Sequence, residues 1–138
     1  MGLSVNIIIN KIAIIERCLK RILDTYNNNS NNLKNYDKQD IIILNLQRAC
    51  EAAIDLSMHI CAKKKLGFPQ KSSEAFEMLA QNNIITFDLS EIMKNMVGFR
   101  NISVHDYQGL DTSILQNIIE NHLVDFLEYT KMILKQVK

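Results

Sequence analysis

Apolar residues recur at intervals of three and four along most of the chain, which is the spacing that places them on one side of an α-helix. The first stripe predicts a helix over about residues 4–26, and the second predicts a helix from Asp37 to Leu66. Between them, the asparagine-rich tract 27–32 predicts a mobile surface loop. Asparagine and serine side chains favour such loops because they compete with helical backbone hydrogen bonds.

Start and stop signals divide the middle of the chain. Gly67 is predicted to cap the second helix, and Pro69 prevents the helix from resuming. Ser72 or Ser73 then predicts the start of a short helix that runs through Leu79.

The last third of the chain predicts two further long helices. Asp88 and Glu91 form a capping-box pattern that opens a helix ending near Val104, and Asp111 or Thr112 can cap the last helix. No alternating pattern typical of β-strands is present. We therefore predict an all-α, up-and-down bundle of four long helices plus one short helix, in one domain over residues 1–138. The inward positions expected on the last helix are Ile114, Ile118, His122, Leu123, Phe126, Tyr129 and Ile133.

Two isoleucine triplets carry more apolar surface than one bundle stripe requires. Ile7–Ile9 and Ile41–Ile43 each wrap around their helix instead of lining one side. This surplus favours a partner surface and hence a homodimer. The alternative is a helix central to the bundle and covered on all sides.

Composition and charge restrict the classes of function. Sixteen basic and fifteen acidic residues give a net charge of +1, which excludes non-specific coating of nucleic acid, so any RNA contact must be local. The three cysteines follow no metal-binding spacing and are expected to be buried thiols in a reducing compartment. The absence of a signal-peptide pattern and of a long apolar run predicts a cytoplasmic protein that does not enter the membrane.

Reactive side chains are concentrated in residues 100–107. Arg100, Asn101, His105, Asp106 and Tyr107 fall within eight residues. A fixed cation beside a group that titrates near neutrality suits phosphodiester chemistry.

The geometry of this segment depends on where the fourth helix ends. On a continuous helix, Arg100 and His105 would lie about 140° apart and converge poorly. We therefore expect the helix to end near Val104, so that the following turn folds His105 back toward Arg100. The helix C-terminus would raise the pKa of His105, and two copies across a dimer axis would build a charged cleft.

The segment Met96–Tyr107, with its Gly98-Phe99 lead-in, resembles the signature of HepT-type toxins in the HEPN superfamily, which is Arg, four residues, His, one residue, Tyr. Ser103 departs from it, because the family more often has an aliphatic residue there. The resemblance implies a metal-independent endoribonuclease that acts as a homodimer with a composite cleft. It also implies a minimal nucleotidyltransferase (MntA-type) antitoxin that adenylylates Tyr107 and thereby silences the toxin.

A mechanism follows from the side chains. RNA supplies its own nucleophile, the 2′-hydroxyl, so neither a cofactor nor a metal ion is required. His105 would act as general acid or base, and Arg100 would stabilise charge on the phosphate oxygens. Asn101 could orient the imidazole or donate to the phosphate, and Tyr107 could position the substrate. The expected product is a 2′,3′-cyclic phosphate.

Each of these residues also has a structural interpretation. His105 could cap the helix, Arg100 could form a surface ion pair with Asp106, and Tyr107 could be a core aromatic. Under this interpretation the chain is a catalytically inactive HEPN bundle that binds a nucleotidyltransferase or presents its substrate.

Basic residues at the end of the second helix are weaker candidates. They could contact RNA phosphates, although cations in a last helical turn commonly interact with the helix dipole. His59 and Cys61 lie two apart on a helix and face different directions, so we reject a metal site there. The lysines are Lys63, Lys64 and Lys65.

Overall fold

The computed structural model describes residues 4–105 and 111–137. Six α-helices and two short 3₁₀ helices occupy these ranges. The helices are α1 (Val5–Tyr26), α2 (Tyr36–Lys63), α3 (Ser72–Gln81), α4 (Phe87–His105), α5 (Thr112–Asn121) and α6 (Leu123–Leu134). The 3₁₀ helices span Ser30–Lys34 and Lys135–Val137.

Helix α2 is the centre of the bundle. It packs along α1 over the longest contact in the molecule, and it also touches α3 and α4, while α6 packs against α1 and α4. The apolar stripes of all six helices meet in one buried cluster. The predicted all-α bundle is confirmed, because no strand occurs in the described ranges.

The end of α2 differs from the prediction. Lys65, not Gly67, adopts the left-handed conformation (φ 56°) that closes the helix, and the amide of Leu66 donates to the carbonyl of Cys61 at 2.9 Å. This is the hydrogen-bond pattern of a Schellman motif. Leu66 packs against the core from this position, so its burial fixes the turn two residues before the glycine.

Two predicted helix starts were also wrong. The N-cap of α3 is Lys71, so Ser72 lies inside the helix. Helix α4 begins at Phe87, and the hydroxyl of Thr86 accepts from the amide of Leu89 at 3.1 Å. Thr86 therefore takes the capping role predicted for Asp88.

The last predicted helix is two helices. Asp111 caps α5 as predicted, since its Oδ1 accepts from the amide of Ser113 at 2.9 Å. The backbone then leaves the helical conformation at His122 (φ −124°, ψ −5°), and the Nδ1 of His122 lies 2.9 Å from the Oδ2 of Asp125. Ile114, predicted to face inward, is 51% exposed, and Leu115 is buried instead.

The asparagine tract is not a structureless loop. Residues 30–34 form a 3₁₀ helix that buries Leu33. The side-chain amide of Asn32 donates to the carbonyl of Tyr26 at 2.7 Å, and its oxygen accepts from Lys38. The side chains that disfavour an α-helix here build a tighter turn of their own.

The two isoleucine triplets differ: one is covered within this chain, and the other is partly exposed. Ile42 and Ile43 are buried within this chain, as expected for a central helix. On α1, Ile7 and Ile9 remain exposed beside Val5, so of the two triplets the first is the one that leaves apolar side chains at the surface. Within residues 4–105 and 111–137, the helices are too short or too polar to cross a membrane.

Candidate functional site

Helix α4 carries the candidate segment to its C-terminal end. Its backbone is helical through His105, one residue beyond the predicted end. His105 therefore lies in the last turn of α4, and the expected end of the helix near Val104 is confirmed to within one residue. On this continuous helix, positions 100 and 105 are about 140° apart around the axis. The predicted convergence of the His105 imidazole and the predictions for Asp106 and Tyr107 lie outside the described residues.

Arg100 is held by a carboxylate from another helix. Its Nη1 lies 2.7 Å from the Oε1 of Glu51 on α2, and the arginine side chain is 21% exposed. Its Nε is buried and has no hydrogen-bond partner in the described part of the chain. The guanidinium is thus fixed at one end and retains an unsatisfied donor, which is uncommon for a buried polar group.

A second contact between α2 and α4 lies one helical turn from the ion pair between Arg100 and Glu51. The buried hydroxyl of Ser103 donates to the carbonyl of Arg100 at 2.9 Å and accepts from the Nε2 of Gln47 at 3.0 Å. Gln47 and Glu51 are four residues apart and therefore share one face of α2. The serine that departs from the family pattern contributes to fixing this end of α4.

Cys50 supports the same contact from within the core. Its thiol donates to the carbonyl of Met96 at 3.7 Å. Burial raises the pKa of Cys50 to about 12, although the nearby Arg100 guanidinium opposes this rise. The thiol is therefore neutral near pH 7. Cys18 and Cys61 are also buried and free, which confirms the prediction of small buried thiols.

Sequence reasoning missed Glu51 and Gln47. Both belong to a helix whose sequence predicts only a buried stripe, and they are 49 and 56 residues from their partners. A lone carboxylate on a helix has no sequence signal for such a long-range ion pair. Only the packing of α2 against α4 brings these groups together.

The other predicted site residues differ in their distance from Arg100. Asn101 is exposed on α4 beside Arg100. The three lysines are exposed at and just beyond the end of α2, and at 1.5 Å per residue the first of them is about 18 Å along the helix axis from Glu51. The structure does not bring them to Arg100. They are Lys63, Lys64 and Lys65.

Histidines outside the segment have structural partners. The Nε2 of His59 accepts from the amide of Ser4 at 3.4 Å, and burial lowers the pKa of His59, with a further contribution from Lys63. Within the described ranges, no cluster of three His, Cys, Asp or Glu side chains could hold a metal ion.

Comparison with known proteins supports the resemblance found in residues 96–107. The family described as "Ribonuclease HepT-like" matches residues 15–133. The chain is 50% identical to the mRNA nuclease HepT of Shewanella oneidensis over 128 residues, covering 93% of this chain and 96% of that protein. It is 32% identical to the tRNA nuclease HepT of Aphanizomenon flos-aquae over 101 residues, 73% of this chain and 69% of that one.

A solved structure agrees over nearly the whole fold. The tri-AMPylated HEPN toxin of Shewanella oneidensis, in complex with an MNT antitoxin, superposes with a TM-score of 0.91 at 48% identity. The match covers 96% of this chain and 99% of that chain. The chain belongs to the ribonuclease HepT-like family.

Proposed function

We propose that this chain is the toxin of a toxin–antitoxin pair and an endoribonuclease that cleaves mRNA or tRNA. The observation that carries the proposal is the state of Arg100. A guanidinium that is oriented by Glu51, on a side chain that is 21% exposed, can present N–H donors to an oxyanion, and its buried Nε has no partner in the described chain. It stands at the first position of the Arg, four residues, His, one residue, Tyr signature in a chain half identical to an mRNA nuclease.

The proposed reaction is a transesterification within the RNA. The 2′-hydroxyl attacks the adjacent phosphorus as His105 removes its proton, and the bond to the 5′-oxygen of the next nucleotide breaks. That oxygen takes the proton from the imidazolium so formed, which leaves a 2′,3′-cyclic phosphate and a 5′-hydroxyl end and restores the neutral imidazole. Arg100 stabilises the charge on the phosphate oxygens, and Asn101 and Tyr107 position the substrate. Because the nucleophile belongs to the RNA, no metal ion is needed to generate it.

The active site is proposed to be composite. Since α4 is helical through position 105, one chain presents positions 100 and 105 in directions about 140° apart. A second copy related by a two-fold axis can supply the imidazole that one chain does not bring to its own arginine. The exposed apolar start of α1, with Val5, Ile7 and Ile9, provides surface for such an association.

Silencing is proposed to occur at Tyr107. A nucleotidyltransferase antitoxin would transfer AMP from ATP to the phenol oxygen and release pyrophosphate. The relative solved in complex with an MNT antitoxin is described as tri-AMPylated. Each AMP would add bulk and negative charge to the proposed cleft, which would exclude RNA by occlusion and repulsion.

The test combines RNA cleavage with product analysis. Purified wild-type protein, Arg100→Ala and His105→Ala are each incubated with total RNA in EDTA. The control is Arg21→Ala, which removes an exposed arginine on a different helix, α1. We expect cleavage by wild type and Arg21→Ala only, with cyclic-phosphate ends. Equal cleavage by all four proteins would remove the proposed site.

The second candidate function is the inactive binding module. The exposed apolar residues of α1 favour it as much as they favour a homodimer. It predicts a stable complex with the nucleotidyltransferase and no RNA cleavage by the free, unmodified protein.

A separate measurement addresses Tyr107. After co-expression with the antitoxin, the mass of the peptide containing Tyr107 should increase by whole AMP units. Tyr107→Phe should abolish this increase, whereas Tyr36→Phe, at a phenol that is 79% exposed, should not. Modification that maps to Tyr36 would show that the wrong acceptor was chosen.

A further inference from the structure

A groove between α1 and α2 shares part of its wall with the side chains that contact α4. It has a volume of about 410 Å³. Its α2 wall includes Gln47 and Glu51, the two residues that contact Ser103 and Arg100. The groove and the candidate active site therefore share two side chains on one face of α2.

Two of the positively charged side chains in this groove form no ion pair within the described ranges. Lys11 is paired with Asp55 at 3.0 Å, and Glu51 is paired with Arg100. Arg17 and Arg48 also line the groove, both are exposed, and neither has an ion-pair partner in the ranges that the structure describes. The groove is locally positive although the whole chain carries only +1.

Arg48 lies close to the residue that holds Arg100, and Arg17 lines the same groove as Arg48. Arg48 precedes Glu51 by three residues, so their Cβ atoms are about 5–6 Å apart on the helix surface. Burial raises the pKa of Cys18 on the groove wall, and the charges of both Arg17 and Arg48 oppose that rise. Both guanidinium groups therefore act on the same part of the groove.

We propose that this groove binds single-stranded RNA, with Arg17 and Arg48 each contacting a phosphate next to the one held by Arg100. This rests on the proposed ribonuclease function and extends it to the path of the substrate. The guanidinium fork matches phosphate oxygens. Arg48 is one helical turn from Glu51, the residue that holds Arg100, and this separation suits neighbouring phosphates of an extended strand. Ile14 and Leu44 supply apolar wall against which bases can pack.

The experiment measures binding without cleavage. The probe is a fluorescein-labelled single-stranded RNA in which fluorine replaces each 2′-hydroxyl, so the nucleophile is absent. Fluorescence anisotropy is recorded over a series of salt concentrations for wild type, for Arg17→Ala with Arg48→Ala, and for a control double variant. The control, Arg21→Ala with Lys135→Ala, removes two exposed cations that do not line the groove.

The groove double variant should bind the probe roughly 100-fold more weakly, because removing each arginine–phosphate hydrogen bond should weaken binding about tenfold. Its plot of log affinity against log salt should be shallower by about 1.4, because each phosphate neutralised on a single strand contributes about 0.7. The control should keep the wild-type slope, and both variants should keep the wild-type unfolding temperature. With cleavable RNA, the groove variant should show a raised KM and an unchanged kcat.

Two results would overturn the groove proposal. One is the same affinity and salt slope for both double variants. The other is unchanged RNA binding together with an altered oligomeric state or a weakened antitoxin complex, which would make the groove a protein interface. Failure of the nuclease function is a different result: wild type would leave natural RNA uncut, while the fluorinated probe would still report on the groove.

Discussion

Two polar clusters on α2 differ in whether their hydrogen bonds are complete. In the core, the hydroxyl of Tyr129 contacts the hydroxyl of Ser57 and donates to the carbonyl of Ala53 at 3.0 Å. Less than two helical turns earlier, Glu51 holds Arg100, whose Nε has no partner in the described chain. The complete cluster is sealed from solvent, whereas the incomplete one is partly open.

This difference separates stability from function. A buried polar network whose donors and acceptors are all paired stabilises one packing arrangement. A buried donor left unpaired lowers stability, and a catalytic role is one reason for such a donor to be present. The first cluster should therefore respond to mutation through the free energy of unfolding, and the second through catalysis.

The largest expected effect is that of Arg100→Ala. Loss of a group that stabilises charge in the transition state should lower the single-turnover cleavage rate by about 10²–10³-fold. The free energy of unfolding should change by less than about 1 kcal/mol, because Glu51 is half exposed and becomes hydrated once its partner is gone. Urea titration measures the second quantity. A loss of stability in proportion to the loss of activity would contradict the proposed separation.

Tyr129→Phe should show the opposite pattern. It removes the partner of Ser57 and of the Ala53 carbonyl while keeping the ring that packs edge-on against Phe76. The free energy of unfolding should fall by about 1–3 kcal/mol, with no change in cleavage per folded molecule. Tyr36→Phe, at an exposed ring, is the matched control and should change neither quantity.

Glu51→Gln should lower both kcat and KM. The amide retains the shape and one acceptor, but it removes the charge that orients the arginine fork, so kcat should fall roughly 3–10-fold. KM should fall by a similar factor, because a negative charge beside the bound phosphate is gone. Steady-state kinetics on a defined RNA provide both constants. A rise in KM would show that Glu51 contributes to substrate binding rather than to the orientation of Arg100.

The smallest effect concerns Tyr26, a buried phenol that donates to the exposed carboxylate of Glu120. Burial, together with this carboxylate, raises the pKa of Tyr26 to about 12. The folded state thus binds more protons than the unfolded state between about pH 10 and 12, so stability is complete below pH 10 and falls through this window.

The measurement is urea unfolding of wild type and Tyr26→Phe at about pH 9 and about pH 11. The wild type should lose roughly 1 kcal/mol more than the variant between these conditions. Cys50, whose pKa burial also raises to about 12, contributes to the fall in both proteins and cancels in the difference. Parallel losses would show that Tyr26 titrates normally.

The sequence was sufficient to predict that the helices form, because a helix that buries one face must have apolar residues at intervals of three and four. It was not sufficient for their ends, where one side chain reaching the core outweighs a local signal. The burial of Leu66 places the left-handed residue at Lys65 although Gly67 is better suited to that conformation. The break at His122 was missed because apolar spacing continues across it from Ile118 to Phe126.

The candidate site was predicted in part. The segment containing Arg100 and its position at the end of a helix could be read from sequence, because residue types and spacing carry that information. The partners Glu51 and Gln47 could not, because they depend on how two distant helices pack. The roles of His105 and Tyr107 remain predictions.

The Nε of Arg100, which has no partner among the described residues, also implies a conflict between robustness and speed. A substitution that offered this atom an internal acceptor would make the free protein harder to unfold. The same substitution would place a competing acceptor beside the guanidinium that is proposed to hold the oxyanion, and the enzyme would become slower. Variants selected only for heat resistance should therefore acquire acceptors around this arginine and lose toxicity as they do so.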